Sequence, residues 1–400
     1  MAYAKINSVT NANMAKVSNV AKAAIGKIDN IDAPAAADNA FTFTMNTENA
    51  GSATKTFVLP LVNDGSINFT VDWGDSSTDT ITAYNQAEIT HVYSSTGTYT
   101  VKLEGTIRGF KFGGGGDKLK ILNISNWGDM NITQCCTFQG CANLTSNATD
   151  APSIGTTNLT YMFFQCANFN QDIDNWDVSS VTQMDSMFNQ ATSFNQGLNS
   201  WDTGEVLDMQ YLFSRASAFN GNISSWDVSK VQNMTGVFAY SPFNSNIGSW
   251  NTGAVTNTYG MFANNTAFNQ DIGSWNMSSC LQLGTMFDGS TAFNQDIGSW
   301  NLAAATNMWG MFRNATSFDQ NVGDWDMADV DTLSNFLQGV TLSTDNYDSI
   351  LVGWQAQELQ SEVSVSFGSS TYTAGGEVET ARTTLIDEDL WTITDGGQAG

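Results

Sequence analysis

The residues able to do chemistry fall into a few small groups. Asp72, Asp75 and Asp79 lie around a Gly74-Asp-Ser-Ser77 turn. Carboxylates at that spacing could hold calcium, although capping of turns is the commoner use of the pattern. His91 is the sole histidine and has no second imidazole to work with, so it reads as a packed or hydrogen-bonded residue at a strand end. The five cysteines, Cys135, Cys136, Cys141, Cys166 and Cys280, show no metal-ligand spacing, which argues against zinc. Acids recur in rows such as Asp172, Asp271 and Asp296. Glycoside cleavage needs one pair of carboxyls about 5–10 Å apart in a cleft, whereas acids that return at a fixed period read as structure. No catalytic residue and no cofactor is therefore expected, with calcium left open.

The elements that position these residues announce themselves by repetition. Trp176, Trp201, Trp226, Trp250, Trp275, Trp300 and Trp325 are spaced by 25 residues with a single 24. Phe163, Phe188, Phe213, Phe238, Phe262, Phe287 and Phe312 keep the same phase, as does a second set from Phe169 to Phe318. The short spacing falls between Phe238 and Phe243, beside Pro242, where one residue is lost without loss of frame. A self-similar period of this length predicts a stack of identical units, none of which can bury its apolar face alone. Within a unit, Val178, Val181 and Met184 are expected in a short strand with a turn, and residues 185–190 in one helical or 3₁₀ turn. Asn170, Asn195, Asn220, Asn244, Asn269 and Asn294 should form a column whose amides donate to one neighbour and accept from the other. Cys141 and Cys166 are one period apart and within disulfide reach; Ala191, Ala216 and Ala315 at the same repeat position favour a small buried side chain instead. Phe138 and Leu144 are in phase but Ala151 replaces the tryptophan, as in a capping unit.

Composition excludes several classes. Fourteen Lys and Arg stand against 39 Asp and Glu, for a net charge of -25, so nucleic acid and anionic membranes are unfavourable partners. No stretch is long and apolar enough to span a bilayer, and the lysine-bearing opening has no apolar secretory core. That opening has its own rhythm. Ile6, Val9, Val17, Val20, Ile28 and Ile31 recur on an 11-residue period, which would place them on one slowly drifting helical face. Lys5, Lys16, Lys22 and Lys27 precede the first acid, Asp29, and such a basic arm suits an acidic docking surface or a sister subunit. A frayed terminus is the alternative.

Between the arm and the repeats, residues 57–62, 67–71, 79–82 and 97–103 are strand-like and predict a small antiparallel β-sandwich, joined to the repeats by Gly113–Gly116 as a flexible link. After the repeats, residues 343–354 read as a capped helix, 363–367 as a strand and 377–385 as a second helix, which together should close the stack. The expected domains are thus 1–34, 35–116, 117–340 and 341–400.

Trp176-Asp-Val-Ser179, Trp226-Asp-Val-Ser229 and Phe268-Asn-Gln-Asp-Ile272 resemble the BspA-like leucine-rich-type surface repeats of bacteria and mycoplasmas over about 200 residues. The resemblance implies a repeat stack used in adhesion. Val71-Asp-Trp-Gly-Asp75, followed by His91-Val-Tyr93 and Gly97-Thr-Tyr99, resembles the PKD-type immunoglobulin-like domain. The opening Met1-Ala-Tyr-Ala-Lys-Ile-Asn-Ser-Val9 is similar to N-terminal segments of tailed-phage virion proteins. Taken together, these imply a mainly β chain: an anchoring arm, an immunoglobulin-like sandwich, a leucine-rich-like solenoid and an α+β cap. The expected function is that of a non-enzymatic virion fibre or decoration protein. Its partners would be capsid or tail proteins through the arm, a host-surface glycan or protein, and further copies of itself. A bacterial cell-surface adhesin and a tailspike-like glycan hydrolase are the alternatives.

Overall fold

The computed structural model describes residues 39–399. The arm, with Ile6, Val9, Val17, Val20, Ile28 and Ile31, lies outside the described residues. Over the described residues the protein is mainly β, with several sheets and two α-helices.

The first strands form where apolar and polar residues alternate. β3 (Asn68–Asp72) buries Phe69 and Val71 and exposes the residues between them, the period-two pattern of a half-buried strand. It pairs with β4 (Thr78–Ile81) and β6 (Thr98–Thr106), and the six-stranded sheet continues from β6 through β1 (Phe41–Asn46) and β7 (Ile121–Asn126) to β9 (Thr145–Ser146), while β2 (Thr56–Val58) pairs with β5 (Thr90–Val92) and β8 (Asn131–Ile132) with β10 (Ser153–Ile154). β1 (Phe41–Asn46) was not expected as a strand, yet it lies in the middle of the sheet, antiparallel to both β6 and β7 (Ile121–Asn126), and buries Phe41, Phe43 and Met45. β9 (Thr145–Ser146) continues the sheet in parallel with β7.

The sheet therefore crosses the division expected at residue 116. The amides of Gly113 and Gly114 donate to the carbonyls of Cys136 and Gln139, and Phe110 and Phe112 pack against Phe138. Just beyond, Asp117 and Lys120 are fully buried together. Asp117 accepts from the amides of Ser52 and Val58, and Lys120 donates to the carbonyls of Ser52, Ala53 and Thr56. A buried pair satisfied on every side ties the loop before β2 to the start of the repeats.

From Phe138 onward, chemically equivalent residues sit above one another. Single-residue parallel bridges join Asn158, Gln183, Asp208, Asn233, Asn257, Gln282, Asn307 and Thr332 in succession. The rings of Phe163, Phe188 and Phe213 stack at 5.6 and 5.5 Å, and within each coil the second phenylalanine packs on the first, as Phe169 does on Phe163 at 4.0 Å. Trp201, Trp226 and Trp250 stack at 6.2 and 6.4 Å with planes 2° apart. Each of these indoles donates one coil back, Trp201 to the Ile173 carbonyl at 2.9 Å and Trp226 to that of Leu198 at 2.7 Å. The column thus uses the ring for area and the N–H for register. Trp176 has no such partner: the carbonyl at the matching place, that of Ala148, accepts from the Gln171 side chain, and the ring packs edge-on against Trp127.

Two details differ from expectation. Residues 178–184 form no extended strand: Asp177, Asp202, Asp227 and Asn251 accept from amides two residues on, and these Asx turns bend the chain straight after the tryptophan. The asparagine column is also not amide to amide. Asn170 Oδ1 accepts from the Asn195 backbone N–H at 2.9 Å, Asn195 from Asn220 at 2.7 Å and Asn220 from Asn244 at 2.8 Å. Only an acceptor is needed, which is why Asp319 serves at the end of the row.

Asp319 accepts from the amide and hydroxyl of Ser343 at 2.8 and 2.9 Å. Ser343 is the N-cap residue of α1 (Thr344–Gln355) but makes no side-chain cap bond to its own helix. It is instead the last rung of the column. Trp354 in α1 extends the indole register by donating to the Val322 carbonyl at 3.0 Å. β11 (Ser364–Ser366) pairs in parallel with β12 (Thr392–Thr394), and α2 (Gly376–Asp387) packs on α1.

Trp226→Ala should destabilise the protein by about 3–5 kcal/mol, the usual loss for a large buried ring, read as a lower urea midpoint. A midpoint unchanged from wild type would show that the column carries no weight. Burial alone would raise the Asp319 carboxyl, but the bonds donated by Asn346 and Ser343 outweigh it and hold the group below the ordinary value. Its stabilisation is then present above the unfolded carboxylate range and is lost as pH falls through the lower folded value. Asp319→Asn keeps an acceptor but not the charge, so the variant should melt below wild type at pH 7 and the gap should close as pH falls below about pH 4.

Candidate ligand-binding face

The coil has one edge built to different rules. Around each Met-Phe-x triplet, successive i to i+3 turns are closed while alternate amides point along the stack: Tyr161, Phe163 and Gln165 donate to the carbonyls of Asp185, Met187 and Asn189 at 3.1, 2.9 and 2.9 Å. Holding both sets of bonds puts the residues just before and just after the triplet in the left-handed region, as at Tyr161 and Gln165 (φ 56° and 60°), Ser186 and Gln190 (56° and 62°), and Tyr211 and Arg215 (55° and 58°). Such a conformation costs an ordinary residue about 1–2 kcal/mol, and glycine or asparagine relieves it.

Some coils take that relief, with Gly236, Gly260, Gly310, Asn264 and Asn314 at these positions. Others keep Tyr211, Arg215, Tyr240 or the β-branched Thr285 there. Tyr211, Tyr240 and Tyr259 are 41%, 47% and 38% exposed, so their rings are not held by burial. The Arg215 guanidinium lies 4.2 Å over the Tyr240 ring and that of Arg313 5.0 Å over Trp309. Arg313 also forks onto Asp288 at 3.0 and 2.5 Å, which with its neighbouring tyrosines raises its pKa. Small residues opposite make room for the rings. A Cβ on Gly236 would come within 2.5 Å of the Tyr211 ring, and one on Gly284 within 2.9 Å of Tyr259. The Tyr211 and Tyr259 rings thus lie over glycines of the next coil, and together with Tyr240 and the two arginines they make up a tyrosine strip.

Beside this strip runs a groove of about 570 Å³. Lys118 and Arg215 mark its ends, and Gln165, Gln190 and Thr192 line it. Gln165 donates to Gln190 at 3.3 Å, forming an amide ladder.

The residues singled out from the sequence lie elsewhere. Trp176, Trp201, Trp226, Trp250, Trp275, Trp300 and Trp325 are all buried, as are Phe188, Phe213 and Phe262. Asn170, Asn195 and Asn220 are exposed but bonded along their column. Asp172, Asp271 and Asp296 each accept from an amide two residues on. In the N-terminal sheet, Asp72 accepts from the Gly74 amide, Asp79 from the Trp73 indole, and Asp75 from Ser77 while facing His91 at 2.9 Å. His91 stacks on Trp73 at 4.7 Å. These carboxylates serve three different donors, and among the described residues no group of three or more His, Cys, Asp or Glu is placed to hold a metal ion. Cys141 and Cys166 are both free and buried; the Cys166 thiol donates to the Phe138 carbonyl at 3.0 Å, and burial raises both thiols above their ordinary range. Among the described residues no helix is long and apolar enough to cross a membrane.

A family model described as Mycoplasma protein of unknown function, DUF285, matches residues 130–244 and 239–350. The chain belongs to this family. DUF285 repeats are related to the BspA-like repeats, and the matched span contains both the indole column and the tyrosine strip. No curated protein and no solved structure matches the chain.

The strip was not identified from sequence, although a signal exists. Aligning the DUF285 units of this chain on the Met-Phe pair shows the same residue types at the buried positions, while the residue before the triplet runs Tyr161, Ser186, Tyr211, Gly236, Gly260, Thr285, Gly310. Because Tyr211 and Tyr240 occupy left-handed, exposed positions, Tyr211→Asn and Tyr240→Asn should each change the unfolding free energy by less than about 1 kcal/mol. Phe238→Ala in the same coil should cost about 3–5 kcal/mol. Equal losses from all three in urea titrations would show that the rings hold the stack rather than decorate it.

Proposed function

We propose that this chain is a non-enzymatic virion structural protein, of fibre or decoration type, whose 25-residue repeats form a leucine-rich-like solenoid that displays an adhesive face for attachment to a host surface. The observation that carries the reading is the contrast between the buried rungs, alike from coil to coil, and the exposed strip of Tyr211, Tyr240 and Tyr259 with Arg215, which varies. Tyr211 and Tyr240, kept in left-handed, solvent-facing positions, are unfavourable for the fold alone, and retention of such strain points to function. The rows of acids are engaged as turn caps, which supports binding without cleavage.

In this reading the N-terminal sheets form a PKD-type immunoglobulin-like spacer, and the basic arm with its 11-residue period docks on capsid or tail proteins during assembly. The virion assignment draws on the similarity of the opening residues to tailed-phage proteins. The family match, whose description names mycoplasmas, favours a second reading, a bacterial cell-surface adhesin with the same face turned outward.

Antibody raised against residues 39–399 should label purified virions released from the producing cells, and the protein should bind host envelope without liberating oligosaccharide. Labelling confined to the envelope of the producing cells would replace the virion reading with the cell-surface one. Release of soluble sugar fragments would refute the non-enzymatic reading.

A further inference from the structure

We propose that the groove between Lys118 and Arg215, together with the tyrosine strip it leads into, binds a polysaccharide of mostly neutral sugar rings with widely spaced carboxylates, laid along the stack axis. The inference deepens the adhesive reading and rests on it.

The charge distribution sets the ligand class. The protein carries -25 overall, and from Phe138 to Leu337 its only basic side chains are Arg215, Lys230 and Arg313. Lys230 pairs with Glu205 at 2.7 Å. Arg215 and Arg313 both lie on the strip against aromatic rings. Lys118 donates only to the Gly114 carbonyl, at 2.7 Å, and neither it nor Arg215 has an ion pair among the described residues. So acidic a body repels a densely charged polymer such as nucleic acid, whereas an occasional carboxylate can be seated at Lys118 and Arg215. The Lys118 ammonium lies against Gly140, three coils before Arg215, whereas Arg313, four coils further on, is already occupied by Asp288. At about 4.8 Å per coil, the two open cations are about 14 Å apart along the axis.

The surfaces between the cations suit sugar rings. In the groove, Gln165 and Gln190 present amides, and one bond between them leaves further donors and acceptors for hydroxyls. Ala142 and Ala167 keep the floor shallow. Past Arg215, Tyr240 and Tyr259 are partly exposed, and aromatic rings with a polar tip bind amphipathic partners at little entropic cost. The exposed guanidinium above Tyr240 is held by the ring, ready for a bidentate carboxylate.

The test uses the full chain and oligomers of deacylated gellan, which has one carboxylate per four sugars, and of hyaluronan, which has one per two, with carboxyl-reduced gellan, dextran and polyglycerol phosphate as comparators, read by calorimetry or glycan-array retention. A carboxylate oligomer should bind, with affinity falling as salt rises. The reduced oligomer, dextran and polyglycerol phosphate should bind at least tenfold more weakly. Arg215→Asn, which places at that position the residue type found at Asn264 and Asn314, and Lys118→Gln should each weaken binding by about tenfold, about 1.4 kcal/mol. Tyr240→Asn should weaken it by a similar factor, and Lys230→Gln should leave it unchanged. Circular dichroism and melting of each variant separate loss of binding from loss of fold. No binding of either carboxylate oligomer, equal binding of the reduced or phosphate polymers, or full binding by Arg215→Asn would overturn the proposal. If host envelope still retains the protein in any of those cases, the adhesive reading stands and only the ligand class falls; loss of envelope retention as well would remove both.

Discussion

Every coil has to offer its neighbours the same three rings at the same height, because each indole, each phenylalanine pair and each column carbonyl is completed by the coil beside it. Phe213 is stacked on Phe188 and Phe238, and Trp226 donates backward to Leu198 while its ring faces Trp201 and Trp250. A change in one rung is felt by two others. The constraint explains why the one-residue loss at Pro242 occurs in the bend between Phe238 and Phe243 and not within a rung: both rings keep their stacks, at 5.6 Å from Phe262 and 6.4 Å from Phe268. It also explains the ends. Trp127 turns edge-on to fill the space below Trp176, and Trp354 arrives on a helix to bond Val322. A stack of this kind is stable only if something unlike itself stops it at both ends.

The same constraint assigns roles to the polar residues. Asx turns need a side-chain acceptor two residues before an amide, and the asparagine column needs an acceptor facing the next coil. Asparagine and aspartate meet both needs, so much of the acidic charge follows from the geometry of turning the chain. Asp177 and Asp227 show the consequence. The bonds that Ser179 and Ser229 donate hold their carboxyls below the ordinary value, so they are charged wherever the protein is folded near neutral pH. Acid rows that resemble a catalytic supply are structural, and the few arginines then stand out against them.

Much of this could be read from the chain. The indole and phenylalanine phases gave the stacking period, because a buried ring every 25 residues has no other economical explanation, and the alternation at Phe69 and Val71 gave β3. What escaped notice was set by long-range pairing. β1 reads as Phe-Thr-Phe-Thr-Met-Asn, a good strand, but its central place depends on β7, which lies 75 residues further on and beyond the glycine run. The buried pair of Asp117 and Lys120 was invisible for the same reason, since its partners, Ser52 and Thr56, belong to another loop. In the coil, period alone could not distinguish an amide bonded to an amide from one bonded to the next backbone. The tyrosine strip is hidden from a reading by period, because a period marks what recurs while this surface is defined by what does not.

Two kinds of position therefore coexist in one coil. Inward positions are redundant: each ring has equivalents above and below, so the stack tolerates local conformational cost as long as the rungs remain. Outward positions at the left-handed residues bear that cost singly, and glycine or asparagine would remove it without disturbing a rung. Gly260 and Asn264 show that the fold accepts this solution in one coil, while Tyr211 and Arg215 decline it in another under the same backbone geometry. The stack's uniformity thus supplies its own control, since neighbouring coils differ at the strip and agree almost everywhere else. The fold alone gives no reason for the difference between those coils; the ligand proposed above would supply one.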